Sequence, residues 1–211
     1  MMPCAVYIHI PFCVQKCAYC DFASFPGAEA EMRAAYVDEL IGEIQAFGQR
    51  ERRACSSIFF GGGTPTLLSA EQLEEILRAV RQSFAVAPDA EITVEANPGT
   101  VDERKLRALR RAGVNRISFG AQSADDGLLR TLGRIHRWQD AVEAVLPAGT
   151  LSGSDTPVYE TPFGPIYQKE TVWYLMINYD DSSKIDDTTN QTTTVYQEYE
   201  SALLSEALET V

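Results

Sequence analysis

The sequence predicts an α/β fold: a partial (βα) barrel of about four parallel βα units, followed by a small β-rich segment with a C-terminal helix. Three observations lead there. Short apolar runs alternate with longer stretches of helical period, helix-capping signals stand ahead of two of those stretches, and glycine, proline or polar residues close each run. Strands and helices in strict alternation favour a parallel sheet with right-handed crossovers.

Residues 5–10 read as a buried strand, and 29–49 as a helix with Tyr36, Leu40, Ile44 and Phe47 on one face. Residues 57–60 form a short strand running into Gly61-Gly62-Gly63-Thr64-Pro65. Ser69 with Gln72 makes a capping box, and Leu73, Ile76, Leu77, Val80 and Phe84 supply the apolar stripe behind it. The third strand is expected over 91–95. Thr100 with Glu103 repeats the capping-box spacing, and Gly113 suits the C-terminal end of that helix. Residues 115–119 give the fourth strand, followed by helical 124–132 and 138–146.

Of the 211 residues, 45% are hydrophobic and 23% charged, which excludes a disordered or collagen-like chain. No apolar run is long enough to span a bilayer, and residues 1–12 lack the basic start of a signal peptide. The expectation is a cytoplasmic protein without a transmembrane segment. A net charge of -12 argues against broad electrostatic binding to nucleic acid or anionic membrane.

That charge is unevenly placed. Residues 1–146 carry 16 basic and 19 acidic side chains, whereas 147–211 carry 2 and 11. All 14 arginines fall in the first part, and the second has ten Thr and six Tyr but no Cys or His. Residues 147–154, rich in Pro, Gly and Ser, read as a linker, giving a first domain over 1–146 and an acidic Thr/Tyr-rich segment over 147–211. In the second part, 157–159, 166–168, 172–179 and 192–196 are candidate strands and 198–208 a candidate helix, and any strand added to the main sheet is expected to be antiparallel.

Ligands of parallel α/β sheets sit beyond the carboxyl ends of the strands. The unusual residues of this chain lie there: cysteines after the first strand, the glycine run after the second, Glu95-Ala-Asn97-Pro98 after the third and Gln122 after the fourth. Three of the five cysteines, Cys13, Cys17 and Cys20, fall within eight residues. An odd count without an export signal points to metal or cluster ligation and away from a disulfide scaffold. A four-iron cluster held by three thiolates leaves one iron open to a small molecule. Closure of the site by Cys4, Cys55 or His9 would give a tetrahedral zinc site instead. His9, inside an apolar strand, is expected to make a structural hydrogen bond. Cys4 and Cys55 read as small buried hydrophobes.

At these residues the chain resembles a family. Tyr7-Ile-His9-Ile-Pro11-Phe12-Cys13-x3-Cys17-x-Tyr19-Cys20-Asp21-Phe22 is similar to the entry segment of radical S-adenosylmethionine (SAM) proteins, and within them to the oxygen-independent coproporphyrinogen III oxidase-like group. Phe60-Gly-Gly-Gly-Thr-Pro65, Val94-Glu-Ala-Asn-Pro-Gly99, Asn115-Arg-Ile-Ser118 with Gln122-Ser123, and Leu132-Gly-Arg134-Ile-His136 match in order and spacing. Asp21, where the oxidases carry a further cysteine, resembles the heme-chaperone (HemW-like) branch.

The resemblance implies a [4Fe-4S] cluster on Cys13, Cys17 and Cys20 with SAM on the open iron, and heme as a third candidate ligand. It implies SAM contacts from Tyr7, Tyr19, Gly62, Gly63, Thr64, Gln122 and Arg134, with Glu95 on the ribose hydroxyls. The two glycines would admit the SAM methionine ammonium where side chains would collide with it. His136 belongs to the same Gly-Arg-x-His pattern, without an assigned role. Reduced flavodoxin or ferredoxin is the implied electron donor, and a heme acceptor protein the implied partner. The oxidoreductase of the parent group is the alternative activity. The resemblance ends near residue 146, where the family's fifth and sixth strands are not recognisable; no family is recognised in residues 147–211, and the abrupt loss of Arg suggests a separate origin, a fusion, a rearranged gene or a mis-joined sequence.

Overall fold

Apolar residues at alternate positions put Ile8 and Ile10 in the core of strand β1 (Cys4–Ile10) and leave Tyr7 exposed on its opposite face. The computed structural model describes residues 4–50, 52–150, 157–161, 164–167 and 173–175. Two short strands follow, β2 (Phe12–Cys13) and β3 (Phe25–Pro26), pairing in parallel with Phe12 beside Phe25. Between them lies the cysteine loop. Helix α1 (Ala30–Arg50) buries Val37 and packs Tyr36, Leu40, Ile41 and Ile44 against the core. Phe47, expected on that face, stays 45% exposed but stacks on Phe84 with ring centroids 5.5 Å apart.

Strand β4 (Ala54–Gly62) leads through a 3-10 turn (Pro65–Leu67) to helix α2 (Ala70–Ser83). The capping box at its start is as expected: Gln72 N donates to Ser69 Oγ at 3.2 Å, and Ser69 N to Gln72 Oε1 at 2.9 Å. Strand β5 (Ala85–Ala96) begins earlier than the alternation predicts. Pro88 falls where its register with β4 slips, between the Cys55–Val86 and Ser57–Glu91 pairs, and a proline is tolerated at such an irregularity. Helix α3 (Glu103–Ala112) ends on Gly113 at φ 102°, the left-handed C-terminal geometry predicted for it. Its start corrects the expectation. The cap is Asp102, whose Oδ1 accepts from Lys105 N at 2.7 Å, while Thr100 turns its hydroxyl to the Asn97 carbonyl at 2.6 Å. A carboxylate at the position next to the first helical turn outcompetes the hydroxyl two residues further back.

Strand β6 (Arg116–Phe119), helix α4 (Asp126–Thr131) and helix α5 (Trp138–Thr150) complete the first part. Helix α5 runs through Pro147, so the first four residues of the expected linker are helical. A proline in the last turn removes one backbone donor without ending the helix. Strands β7 (Pro157–Thr161) and β8 (Gly164–Tyr167) form an antiparallel pair of their own, apart from the main sheet, where an added strand is expected to run antiparallel. Strand β9 (Trp173–Leu175) does not: it joins β6 in parallel, with Ser118 beside Tyr174. The connection from β6 to β9 is long enough to return the chain to the same end of the sheet, which a parallel pair requires. The strand expected at 192–196 and the C-terminal helix at 198–208 lie outside the described residues.

The sheet order is β1-β4-β5-β6-β9, every neighbouring pair parallel. One face is covered by helices over a core that includes Ile8, Ile58, Phe60, Leu73, Ile76, Leu77 and Val94. Burying each such side chain stabilises the fold by about 1.5–3 kcal/mol. On the other face the register sets Tyr7, Phe59, Thr93 and Arg116 in one cross-strand row. Cys55 is core and Cys4 packs against it, as the hydrophobe reading expects. Among the described residues no helix is long and apolar enough to cross a membrane.

Candidate functional site

Parallel strands place all their carboxyl ends on one rim, and the loops leaving β1, β4, β5 and β6 meet there around a cavity of about 170 Å³. Cys13, Cys17, Cys20, Tyr19, Gly62, Gly63, Thr64, Glu95, Gln122 and Arg134 all line it. Tyr7 does not; it stands on β1 beside Gly61, with its hydroxyl 3.2 Å from His9 Nδ1. The nearby Glu95 charge and, more, burial hold the Tyr7 phenol above its ordinary value.

The cysteine loop is fixed by backbone bonds at both ends. Phe25 N donates to Pro11 O at 2.6 Å and Gly27 N to Cys13 O at 3.1 Å. In the middle, Ala18 N reaches Leu132 O at 3.0 Å, which joins the loop to the turn after α4. The glycine loop is drawn in from the other side, with Gly63 N on Ile10 O at 2.9 Å.

This close approach explains the glycines, and for a different reason than the sequence suggests. A Cβ on Gly63 would stand 2.6 Å from Phe12 O and 3.0 Å from Cys13 Sγ. At Gly62, whose φ is 113°, it would strike the His9 ring at 2.6 Å. The glycines are required by the chain's own packing around the cysteines, before any ligand is considered. His9 is structural, as expected: Nε2 donates to Ala23 O at 2.9 Å, leaving Nδ1 to accept from Tyr7.

Two thiols have side-chain donors. Arg134 Nη1 lies 3.3 Å from Cys17 Sγ, and Thr64 Oγ1 lies 3.8 Å from Cys13 Sγ. Burial pushes the Tyr19 phenol up, with Arg134 pulling in the opposite sense. Glu95 accepts from Gly62 N at 3.3 Å; burial raises its carboxyl above the ordinary range, while that bond and His9 act against the rise. His136 is buried, donates Nε2 to Ala121 O at 3.0 Å, and is held below its ordinary value chiefly by burial. Gln122 is the one non-glycine residue at positive φ, 70°, among the described residues. Its side chain is buried, and its Oε1 has no hydrogen-bond partner.

Sequence reasoning set Asn97 at the rim but gave it no role. Asn97 donates Nδ2 to Thr64 Oγ1 at 2.8 Å and accepts Arg134 Nη2 on Oδ1 at 2.5 Å, so it joins both thiol donors. An asparagine held extended by a following proline at a strand end was the available signal.

The residues fit a cluster with a polar ligand beside it. Three thiols, two donors aimed at them and an orphaned buried acyl oxygen in Gln122 share one cavity. They do not fit the zinc alternative. Among the described residues no three His, Cys, Asp or Glu side chains gather closely enough for a single ion. Cys4 and Cys55 sit at the opposite end of their strands, and both His9 nitrogens are engaged. A cluster asks for less crowding, since each thiolate takes a different iron.

A parallel βα sheet with a cysteine triplet on the loop after its first strand defines a class, and the chain belongs to it: the radical SAM superfamily, whose family model matches residues 7–156. Within that class the chain is similar to the heme chaperone HemW of Escherichia coli (strain K12), 46% identical over 152 residues, 71% of this chain and 40% of the relative. It is also similar to the mitochondrial radical S-adenosyl methionine domain-containing protein 1 of Bos taurus, 40% identical over 150 residues, 70% of this chain and 33% of that one. Coproporphyrinogen III oxidase (HemN) from Escherichia coli shares the fold, with a TM-score of 0.68 and 24% identity over 97% of this chain and 53% of that chain. The chain spans about two fifths of the length of the HemW relatives it matches.

Proposed function

We propose that this chain holds a [4Fe-4S] cluster on Cys13, Cys17 and Cys20, binds SAM beside it, and serves in heme handling as its HemW relatives are named to do. The observation that carries the reading is the convergence of three thiols, two thiol donors and the orphaned Gln122 Oε1 on one strand-end cavity. When bound, the cluster and SAM supply one-electron chemistry that breaks a carbon–sulfur bond. The protein's part is placement. The cysteines fix the metal, Arg134 and Gln122 present a cation and an acceptor to a polar ligand, and Glu95 offers a carboxylate to a diol. The chain works in the cytoplasm with reduced flavodoxin or ferredoxin as electron donor and passes heme to an acceptor protein.

Asp21 favours heme handling over porphyrinogen oxidation. It is exposed on the cysteine loop, where the oxidases carry a further cysteine. The radical SAM unit takes in residues 1–146 and runs on at least to the end of α5, and the acidic remainder is read as an appended segment. On this reading the purified 211-residue chain cleaves SAM slowly, because the residues matched to SAM contacts come from the first four βα units and the turn after α4.

Anaerobic reconstitution with iron and sulfide tests this reading. About four irons per chain are expected, with a brown chromophore and saturable SAM binding. Heme titration and a SAM-cleavage assay then separate chaperone from oxidoreductase. Failure to bind iron, or efficient substrate-coupled turnover, overturns the proposal in its first or last part.

A further inference from the structure

The donors on Cys13 and Cys17 are not independent. From Cys13 Sγ the path runs to Thr64 Oγ1 at 3.8 Å, on to Asn97 Nδ2 at 2.8 Å, from Asn97 Oδ1 to Arg134 Nη2 at 2.5 Å, and from Arg134 Nη1 to Cys17 Sγ at 3.3 Å. Two cysteines on one loop are thereby bridged by residues from three other loops.

The protons in this chain can be assigned without seeing them. Arginine only donates, so the Asn97 atom facing Arg134 must be the oxygen. The amide nitrogen therefore faces Thr64 and donates to its hydroxyl oxygen. With that lone pair occupied, the single hydroxyl proton of Thr64 is free to point at Cys13. Asn97 is itself held: Thr100 donates its hydroxyl to the Asn97 carbonyl at 2.6 Å and accepts the Thr66 hydroxyl at 2.6 Å.

We infer that Asn97 is a positioning residue that sets the reduction potential of the cluster, by holding the Thr64 proton on Cys13 and, together with the Gly120 carbonyl, the Arg134 cation on Cys17. This rests on the cluster assignment above. Hydrogen bonds to ligand sulfur withdraw electron density and stabilise the reduced, more negative cluster. Cys20 has no such side-chain donor among the described residues, so the three thiolates are unequal.

Asparagine is required because it donates at one end and accepts at the other. Aspartate keeps the shape and still accepts from Arg134. It cannot donate, so Thr64 must turn its proton to the carboxylate and away from Cys13.

The test is redox titration of the reconstituted full chain, followed by EPR, in wild type, Asn97→Asp, Thr64→Val and Thr64→Ser. Asn97→Asp and Thr64→Val should each make reduction at least tenfold less favourable, a shift of about 59 mV to lower potential for a one-electron couple. Thr64→Ser, which keeps the hydroxyl, should stay close to wild type. Resonance Raman should show terminal iron–sulfur stretches moving up in the first two variants and not in Thr64→Ser. An unchanged potential in Thr64→Val, or a Thr64→Ser as displaced as Thr64→Val, overturns the inference while the cluster assignment stands. A wild-type chain that binds no iron would overturn that assignment, and this inference with it.

Discussion

Arg134 and Cys17, 117 positions apart in the chain, are joined by a 3.3 Å contact between Nη1 and Sγ. A guanidinium presents its donors in a fixed planar fork, so the contact fixes the direction from which this sulfur is approached. It also means that the cysteine loop is completed only when the turn after α4 has docked against it, through Arg134 and through the Ala18–Leu132 backbone bond.

The first prediction follows from which cysteines share the cavity. Replacing Cys13, Cys17 or Cys20 by Ala should abolish the brown chromophore after reconstitution. Cys4→Ala and Cys55→Ala should keep it, because both lie at the far end of β1 and β4. Visible absorption and iron counts decide this. Loss of iron in Cys4→Ala would restore the closed four-thiolate alternative.

Gly63→Ala should behave like a cysteine deletion although it removes no ligand. The new methyl would meet the Phe12 carbonyl oxygen at 2.6 Å, and backbone cannot step aside as a flexible side chain can. The cysteine loop must shift, so iron content should fall to less than half while circular dichroism stays native. Full iron loading in this variant would show that the loop tolerates displacement.

Glu95 separates binding from stability. Glu95→Ala should weaken SAM about 10- to 150-fold, the loss of a hydrogen bond of roughly 1.5–3 kcal/mol, without loss of iron. Calorimetric titration measures it, and unchanged affinity would remove Glu95 from the site. Burial raises the Glu95 carboxyl above its ordinary 4.5, so keeping it ionised opposes folding. Stability from such a group is fully present below the unfolded value and is lost as pH rises through the folded one. Glu95→Gln should therefore melt higher than wild type at neutral pH, and the gain should vanish below pH 4.5. A gain that does not depend on pH would mean that charge burial is not its cause.

Asp102→Ala should cost about 0.5–2 kcal/mol, because it removes the acceptor of the Lys105 amide at the start of α3. Asp102→Asn should recover most of that loss. Urea denaturation distinguishes them. An Asp102→Ala chain as stable as wild type would return the cap to Thr100.

Much of the fold could be read because strands and helices impose periods on the sequence that survive packing. The Leu73, Ile76, Leu77 and Val80 stripe is buried as its spacing demands. The Ser69 box forms because both partners lie within one turn. The reading went astray where two local signals competed or where distance decided. Asp102 and Thr100 offer similar side chains two positions apart, and only the helix's actual start chooses between them. Pro147 marks a linker by composition, yet α5 passes through it because other contacts outweigh one missing donor. Strand β9 is parallel to β6, a choice made by the path of the connection and not by the strand's residues.

By itself the sequence determined that the cysteines, the glycine run and the strand-end acid share one rim, since these are local patterns and parallel strands carry them to one end, whereas Tyr7 stands off the cavity. Only the tertiary structure decided what those residues do to one another. The clash that makes Gly63 a glycine, the docking of Arg134 on Cys17, and the Asn97 amide that orients Thr64 are contacts between loops far apart in the chain. Hydrogen bonds act over about 3 Å, and no one-dimensional pattern encodes a distance of that size between separate loops until the sheet has set them side by side.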